Sequence, residues 1–323
     1  MNTTVEQAYQ ACAAIARREA KNFYYAFLVL PRRKRLAMCA VYAFMRHADD
    51  LSDDDAIPLM ERRQRMQAWL EEWHCAADGG ATDDPVFLAL RDVQKRFDIS
   101  KGLLDQLVQG TMMDLVAQPE RVAGEYATQS EMALDASVEH AFTIYRTFDE
   151  LYRYCYYVAS VVGLVCIRIF GYSDPRADKQ AEELGIAFQL TNILRDVRED
   201  LEHGRIYLPL EDMRQYDLTI EQLAAIRGGQ PLTLNARSLL EKEAGRALDY
   251  YAAGDALLPL VAPDSRPALW VLIAVYRRLL EHIMANEYQV FSAKIKVPTW
   301  EKVAILAHGF WMALRIRLFR RAS

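Results

Sequence analysis

Apolar residues recur along the chain with the three-and-four spacing of helices, and strand-like alternation is nearly absent. The spacing predicts helices over about 4–20, 32–54, 58–77, 85–97 and 101–117. It continues over about 134–145, 147–170, 175–202, 219–226, 234–254, 267–291 and 298–318. Several ends carry a local signal. Asp84 and Asp174 each precede a proline, the pairing of a capping carboxylate with proline at the first helical position. Thr147 and Glu150 read as a capping box, and Gly171 and Gly204 mark stops. The connections at 79–84 and 228–231 are flexible but do not divide the pattern into independent halves, and no internal repeat is visible. The expected fold class is therefore all-α, with one domain spanning residues 1–323. The runs 147–170 and 175–202, apolar on several sides, belong at its centre.

Two of these helices carry acidic rows where an apolar face would be ordinary. In QLTNILRDVREDLEHGRIYLP (Gln189–Pro209), Asn192, Asp196 and Asp200 stand at i, i+4 and i+8. Each step of four overshoots a turn by about 40°, so all three project from one face. Leu190, Ile193, Leu194 and Val197 belong in a core. Taken alone, the row also fits a solvated acidic face, since Glu199 and Glu202 are nearby. The second row, Asp49 and Asp53 with Asp50 and Asp54, closes the apolar helix 32–54. Like charges at that spacing destabilise a bare helix, which points to a counter-cation or to a frayed acidic helix end. Mg²⁺ suits carboxylate oxygens and keeps water and phosphate oxygens in its shell. Two such helices facing each other would clamp a diphosphate, and sharing one ligand requires that they converge in one domain.

Composition narrows the partners. The net charge is −5 with a pI of about 5.8, and no basic patch interleaves with aromatics, so nucleic acid is set aside. The five cysteines are scattered, odd in number and form no CxxC, as in a reducing compartment. The start lacks a basic segment and an apolar core of a signal peptide, and the longest unbroken apolar run, near 158–167, is short for a membrane span. The expectation is a cytoplasmic protein. Basic clusters at 31–35 and 315–321 read as solvated helix ends or as peripheral contacts with an anionic membrane surface.

The order of motifs resembles the squalene/phytoene synthase family. The resemblance rests on FYYAFLVLP (Phe23–Pro31), DDLSD (Asp49–Asp53), YCYYVA (Tyr154–Ala159), and the NILRDVRED and GRIYLP runs within 192–209. It covers roughly residues 15 to 295, and the NxxxDxxxD followed by RIYLP is its most specific part. It implies an isoprenoid synthase fold with helices around a central cavity. It also implies Mg²⁺, or Mn²⁺ in its place, on Asp49, Asp50, Asp53, Asn192, Asp196 and Asp200. The substrates implied are prenyl diphosphates. Arg46 and Arg195 match arginines near the diphosphates, and guanidinium forks suit phosphate oxygens. Both could equally be paired with aspartates on their own helices. Tyr154 matches a tyrosine proposed for proton handling or cation stabilisation. Gln189, Asp114 of GTMMD, Arg205, Tyr207 and Tyr276 match pocket-lining positions, and Asn22 stands where the family often has serine.

The resemblance implies head-to-head (1′–1) condensation, most readily of two farnesyl diphosphates to presqualene diphosphate and onward to squalene or a related C30 product. A carbocation formed there must be kept from water, so the remaining walls should be apolar and aromatic. Phe23, Phe27, Tyr42, Tyr154, Tyr157 and Phe188 are the candidates, each also readable as plain core. Bulky Phe27 and Phe188 favour the shorter chain. The alternatives are phytoene synthesis from geranylgeranyl diphosphate and a non-catalytic, family-derived scaffold. No GxGxxG motif is present, and the resemblance leaves NADPH use open.

Overall fold

The computed structural model describes residues 4–52, 56–116 and 142–322, without the side chains of 21–22, 114–116 and 319–322. The all-α expectation holds. The helices are α1 (Val5–Glu19), α2 (Lys21–Val29), α3 (Arg32–Ser52), α4 (Leu59–Ala77), α5 (Pro85–Phe97) and α6 (Lys101–Val116). After them come α7 (Phe148–Cys155), α8 (Val161–Phe170), α9 (Arg176–Glu202), α10 (Leu210–Gln215) and α11 (Ile220–Arg227). The series ends with α12 (Leu234–Leu257), α13 (Arg266–Ala285) and α14 (Thr299–Ala322).

Local chemistry explains many of the boundaries. Asp84 accepts hydrogen bonds from the backbone of Val86 at 2.7 Å and Phe87 at 3.1 Å, with Pro85 in the first turn. Thr147 caps α7 by accepting from Glu150 N at 3.3 Å. Glu150, however, reaches back to the amide of Arg146, so the predicted box is offset by one residue. Gly171 and Gly204 do end long helices, both with positive φ, at 78° and 70°.

The departures are informative. Phe23–Pro31 forms most of a separate helix, α2, which the spacing did not predict. The run 147–170 is interrupted by a π turn, Tyr156–Ser160, joining α7 to α8. Of the expected helix 134–145, residues 134–141 lie outside the described residues. Thr143–Ile144 is instead a short strand, β1, pairing in parallel with β2 (Arg205–Ile206). The run expected to reach 291 stops at Ala285, because Glu287 and Tyr288 adopt left-handed φ of 52° and 60°.

The long α9 is the axis. It packs against α12, the π turn, α8 and α13, while α3 packs on α1, α4, α5 and α6 on the other side. One continuous apolar core joins the two groups. Two glycines let the π turn sit close to its neighbours. A β-carbon on Gly185 of α9 would stand 2.5 Å from Cα of Ser160, and one on Gly110 of α6 would stand 2.7 Å from the carbonyl oxygen of Tyr157. Lys34, at the start of α3, donates to the carbonyl of Phe170 (2.7 Å), to Asp264 (2.6 Å) and to Ser265 (2.9 Å). It thereby ties α3 to the end of α8 and the start of α13. Among the described residues one helical run, Phe148–Phe170, is long and apolar enough to cross a membrane, which corrects the reading that none is. It packs against α3, α6 and α9 in the middle of the bundle.

Candidate active site

A cavity of about 490 Å³ lies between α2 and α3 on one side and α8, α9 and α13 on the other. The two acidic helices both line it. Asp49, Arg46 and Tyr42 come from α3, and Arg195, Asn192, Gln189 and Phe188 from α9. Beyond this polar end the wall is apolar. It is formed by Val158 and Ala159 of the π turn, Val162, Cys166 and Phe170 along α8, and Leu184 and Ala181 along α9. Leu269, Leu272 and Tyr276 come from α13. From Arg195 to Ala181 the wall follows α9 for about 21 Å, at 1.5 Å per residue. Phe188 sits midway along that wall, so it narrows the cavity and does not close it.

Three rings meet at that midpoint. Phe188 stacks on Tyr276 with centroids 4.4 Å apart, and Phe23 lies 5.8 Å from the same tyrosine. Phe27, one turn deeper on α2, is buried in the same wall. Together they present aromatic faces where a developing positive charge could be met.

The electrostatics at the polar end are uneven. Arg46, in the cavity wall, pairs with Asp50 at 2.5 Å, and Asp49, also in the wall, accepts from Thr111 at 3.2 Å. Arg195 donates to its neighbour Asp196 at 2.8 Å, and Lys294 reaches the same carboxylate at 3.0 Å. Burial works to raise the Asp196 carboxyl, but these two cations overturn it and hold the group below the usual aspartate range. Asp200 goes the other way. Burial first, then the neighbouring Asp196 charge, push it up to about 7 against the pull of Arg205. Asn192 donates to Gln189 at 3.4 Å, while its carbonyl oxygen is buried and meets no donor among the described residues.

These donors suit a hard divalent cation. A carbonyl oxygen without a donor and a carboxyl strained by its neighbour's charge are both relieved by one. Among the described residues no three carboxylate, thiol or imidazole groups form a cage alone. Mg²⁺, which completes its shell with water and phosphate oxygens, requires no such cage.

Several expected residues lie elsewhere. Tyr154 is buried behind the cavity wall, stacked on Tyr207 at 4.9 Å, and its hydroxyl donates to that of Tyr207 at 3.0 Å. Tyr207, Arg205 and Asp200 border a separate, much smaller void next to the C-terminal part of α9; of the second acidic row Asn192 alone lines the main cavity, and Tyr157 is likewise not in its wall. Asp53 lies outside the described residues, as do the side chains of Asn22 and Asp114. Sequence reasoning missed two neighbours of the polar end. Glu19, at the end of α1, gave no signal beyond an ordinary helix terminus. Lys294 follows the turn that stands where the spacing predicts the end of the helix 267–291.

A squalene/phytoene synthase family model matches residues 16–301. The phytoene synthase of Mycobacterium tuberculosis is 33% identical over 307 residues, covering 94% of this chain and 91% of its own. The 15-cis-phytoene synthase of Synechococcus elongatus is 30% identical over 318 residues, covering 94% of this chain and 92% of its own. A dehydrosqualene synthase crystal structure superposes with a TM-score of 0.78 at 30% identity, over 94% of this chain and 96% of the other. Squalene synthase HpnC from Alicyclobacillus acidocaldarius gives 0.73 at 27% identity, over 88% and 95%. The expected isoprenoid synthase fold is thereby met. The chain belongs to the squalene/phytoene synthase family, prenyltransferases that join two prenyl diphosphates head to head.

Proposed function

We propose that the protein condenses two farnesyl diphosphates to presqualene diphosphate and carries this on to squalene or a related C30 product. The observation that carries the reading is one cavity with a charged end and a long apolar sleeve, narrowed by Phe23, Phe27, Phe188 and Tyr276.

Held by Asp49 on α3 and by Asn192, Asp196 and Asp200 on α9, Mg²⁺ would supply neutralisation of the diphosphate and make it a leaving group. Arg46 and Arg195 line the polar end, and their guanidinium forks would meet the phosphate oxygens there. The apolar walls of α8, α9 and α13 keep water from the C1 cation while the C2=C3 bond of the second substrate attacks it. The faces of Phe188 and Tyr276 offer that cation an attractive surface. Proton loss then closes the cyclopropane.

Phe27 supports the C15 chain, since a bulky ring in the buried part of the sleeve takes the space of a further isoprene unit. A second reading, phytoene synthesis from the C20 diphosphate, is favoured by the length of the wall along α9 and by the names of the relatives. Incubation with farnesyl and geranylgeranyl diphosphates and Mg²⁺, with and without NADPH, followed by product mass analysis, separates the two. A C30 product formed faster supports the first reading. A faster C40 product replaces it and leaves the reaction class intact, and no product from either substrate favours a scaffold.

A further inference from the structure

Helix α14 is apolar on two opposite faces. Its inner face carries Glu301, Ile305, Gly309 and Ala313 and packs on α2 and α13. Glu301 is fixed there by Arg278 at 2.5 Å and His282 at 3.0 Å. Gly309 lies so close to Val271 that a β-carbon would stand 2.4 Å from its methyl group. The outer face carries Trp300, Val303, Phe310, Trp311, Leu314 and Leu318, with Trp300 69% exposed and Leu314 54%. At about 100° per residue these six fall within an arc of about 100°, opposite the inner face. No element among the described residues covers it. An apolar stripe of this length on a soluble surface marks a contact site.

Charge decides what kind. Arg315 and Arg317 flank the stripe on either side, and the Arg315 guanidinium lies over the Trp311 ring, 4.7 Å from its centroid. The other basic cluster is tied into the fold: Arg32 pairs with Glu6, Arg33 lies over Phe97 and Lys34 joins three elements. An amphipathic helix with aromatic and leucine side chains bordered by arginines has the make-up of an interfacial helix. We propose that the outer face of α14 docks on an anionic lipid surface, with Trp300, Trp311, Leu314 and Leu318 entering the headgroup boundary. The inner neighbours of α14 are α2 and α13, which supply Phe27, Leu269 and Leu272 to the cavity wall. Docking thus sets the wall helices of the apolar cavity one helix layer from the bilayer, whatever the chain length of its substrate.

The test is flotation of the full chain with phosphatidylcholine vesicles, with and without phosphatidylglycerol, at low and high salt. The expected result is binding that needs the anionic lipid and weakens with salt. Arg315→Gln and Arg317→Gln should each weaken it about fivefold. Trp311→Glu with Leu314→Glu should weaken it roughly tenfold or more, with thermal stability and prenyl transfer in detergent unchanged. Equal binding to neutral vesicles, no binding to either, or an unaffected double variant would overturn the proposal. A dimer in solution that the double variant converts to monomer, without vesicle binding, would assign the face to a second copy of the chain and overturn it as well.

Discussion

The ammonium of Lys294 stands 3.0 Å from a carboxylate oxygen of Asp196 and also pairs with Glu199. The connection from α13 to α14 that carries it is anchored by buried Tyr288, Val290, Phe291 and Val297. Arg198 of α9 donates to the carbonyls of Phe291 and Ser292, both at 3.3 Å. The second acidic row thus has a cation supplied by the chain itself.

That pairing fixes the sign of one outcome. Removing an acid from a crowded row is expected to relax it, yet Asp196→Asn should lower the melting temperature of chelator-treated protein. It strips Arg195 and Lys294 of a shared partner, a loss of about 1–2 kcal/mol for partly buried groups. Product formation with Mg²⁺ should fall by more than about a hundredfold, beyond the range usual for a supporting contact. Thermal scans and turnover assays check both, and full turnover would remove Asp196 from the proposed clamp.

Tyr154→Phe and Tyr207→Phe delete the two ends of one hydrogen bond. Each should lower kcat more than it raises KM, and the double variant should be no worse than the poorer single, since residues sharing one contact are not additive. Additive losses, or a change confined to KM, would make the two tyrosines independent packing residues.

Phe27→Ala should admit geranylgeranyl diphosphate. A cavity discriminates by overpacking, at about 1–3 kcal/mol, so the wild-type preference for the shorter substrate should be roughly tenfold to a hundredfold and largely lost in the variant. Competition between the two diphosphates, read by product mass, measures it.

Gly185→Ala should destabilise by roughly 1–3 kcal/mol or more, because its methyl meets the backbone of Ser160. Gly245→Ala, in the middle of α12 with nothing within 4 Å of the added carbon, should stabilise by about 0.5–1 kcal/mol. Denaturant titration of the two variants side by side tests the contrast.

Stability should also fall as pH rises toward neutrality. Burial pushes the Glu243 carboxyl up to about 7, against the pull of Arg246. Between the ordinary glutamate value and about 7 the folded chain keeps a proton that the unfolded chain releases, so this contribution is full below that window and lost above it. Glu243→Gln should flatten the slope there and leave the protein relatively more stable at pH 8. Melting temperatures from pH 5 to 8 report it, and an unchanged slope would assign the dependence to other groups.

What was legible in the sequence followed from periodicity. The core face of Leu190, Ile193, Leu194 and Val197 repeats with a helix's period and lies as read, while of the two acidic rows Asp49 and Asn192 line the cavity and Asp200 borders a separate void. From Phe23 to Pro31 every residue is apolar or aromatic, so the stretch that forms most of α2 shows no contrasting face. Thr143 and Ile144 pair with Arg205 and Ile206 only because the chain brings them together, and two residues cannot alternate. Tyr154 looked like a cavity residue because depth is not encoded in helical phase. Which side of α9 it faces is decided by packing against Tyr207.

The π turn at 156–160 has a consequence for how this protein can be altered. Such a turn differs from an α-turn by one residue. Deleting one residue from it would restore regular winding and leave α7 and α8 close to their present phase, because the wide turn holds the extra residue locally. What would be lost is the bulge itself: the backbone at Tyr157 and Ser160 that Gly110 and Gly185 seat, and the places of Val158 and Ala159 in the cavity wall. The segment therefore shapes one stretch of the sleeve without setting the register of the helices on either side of it.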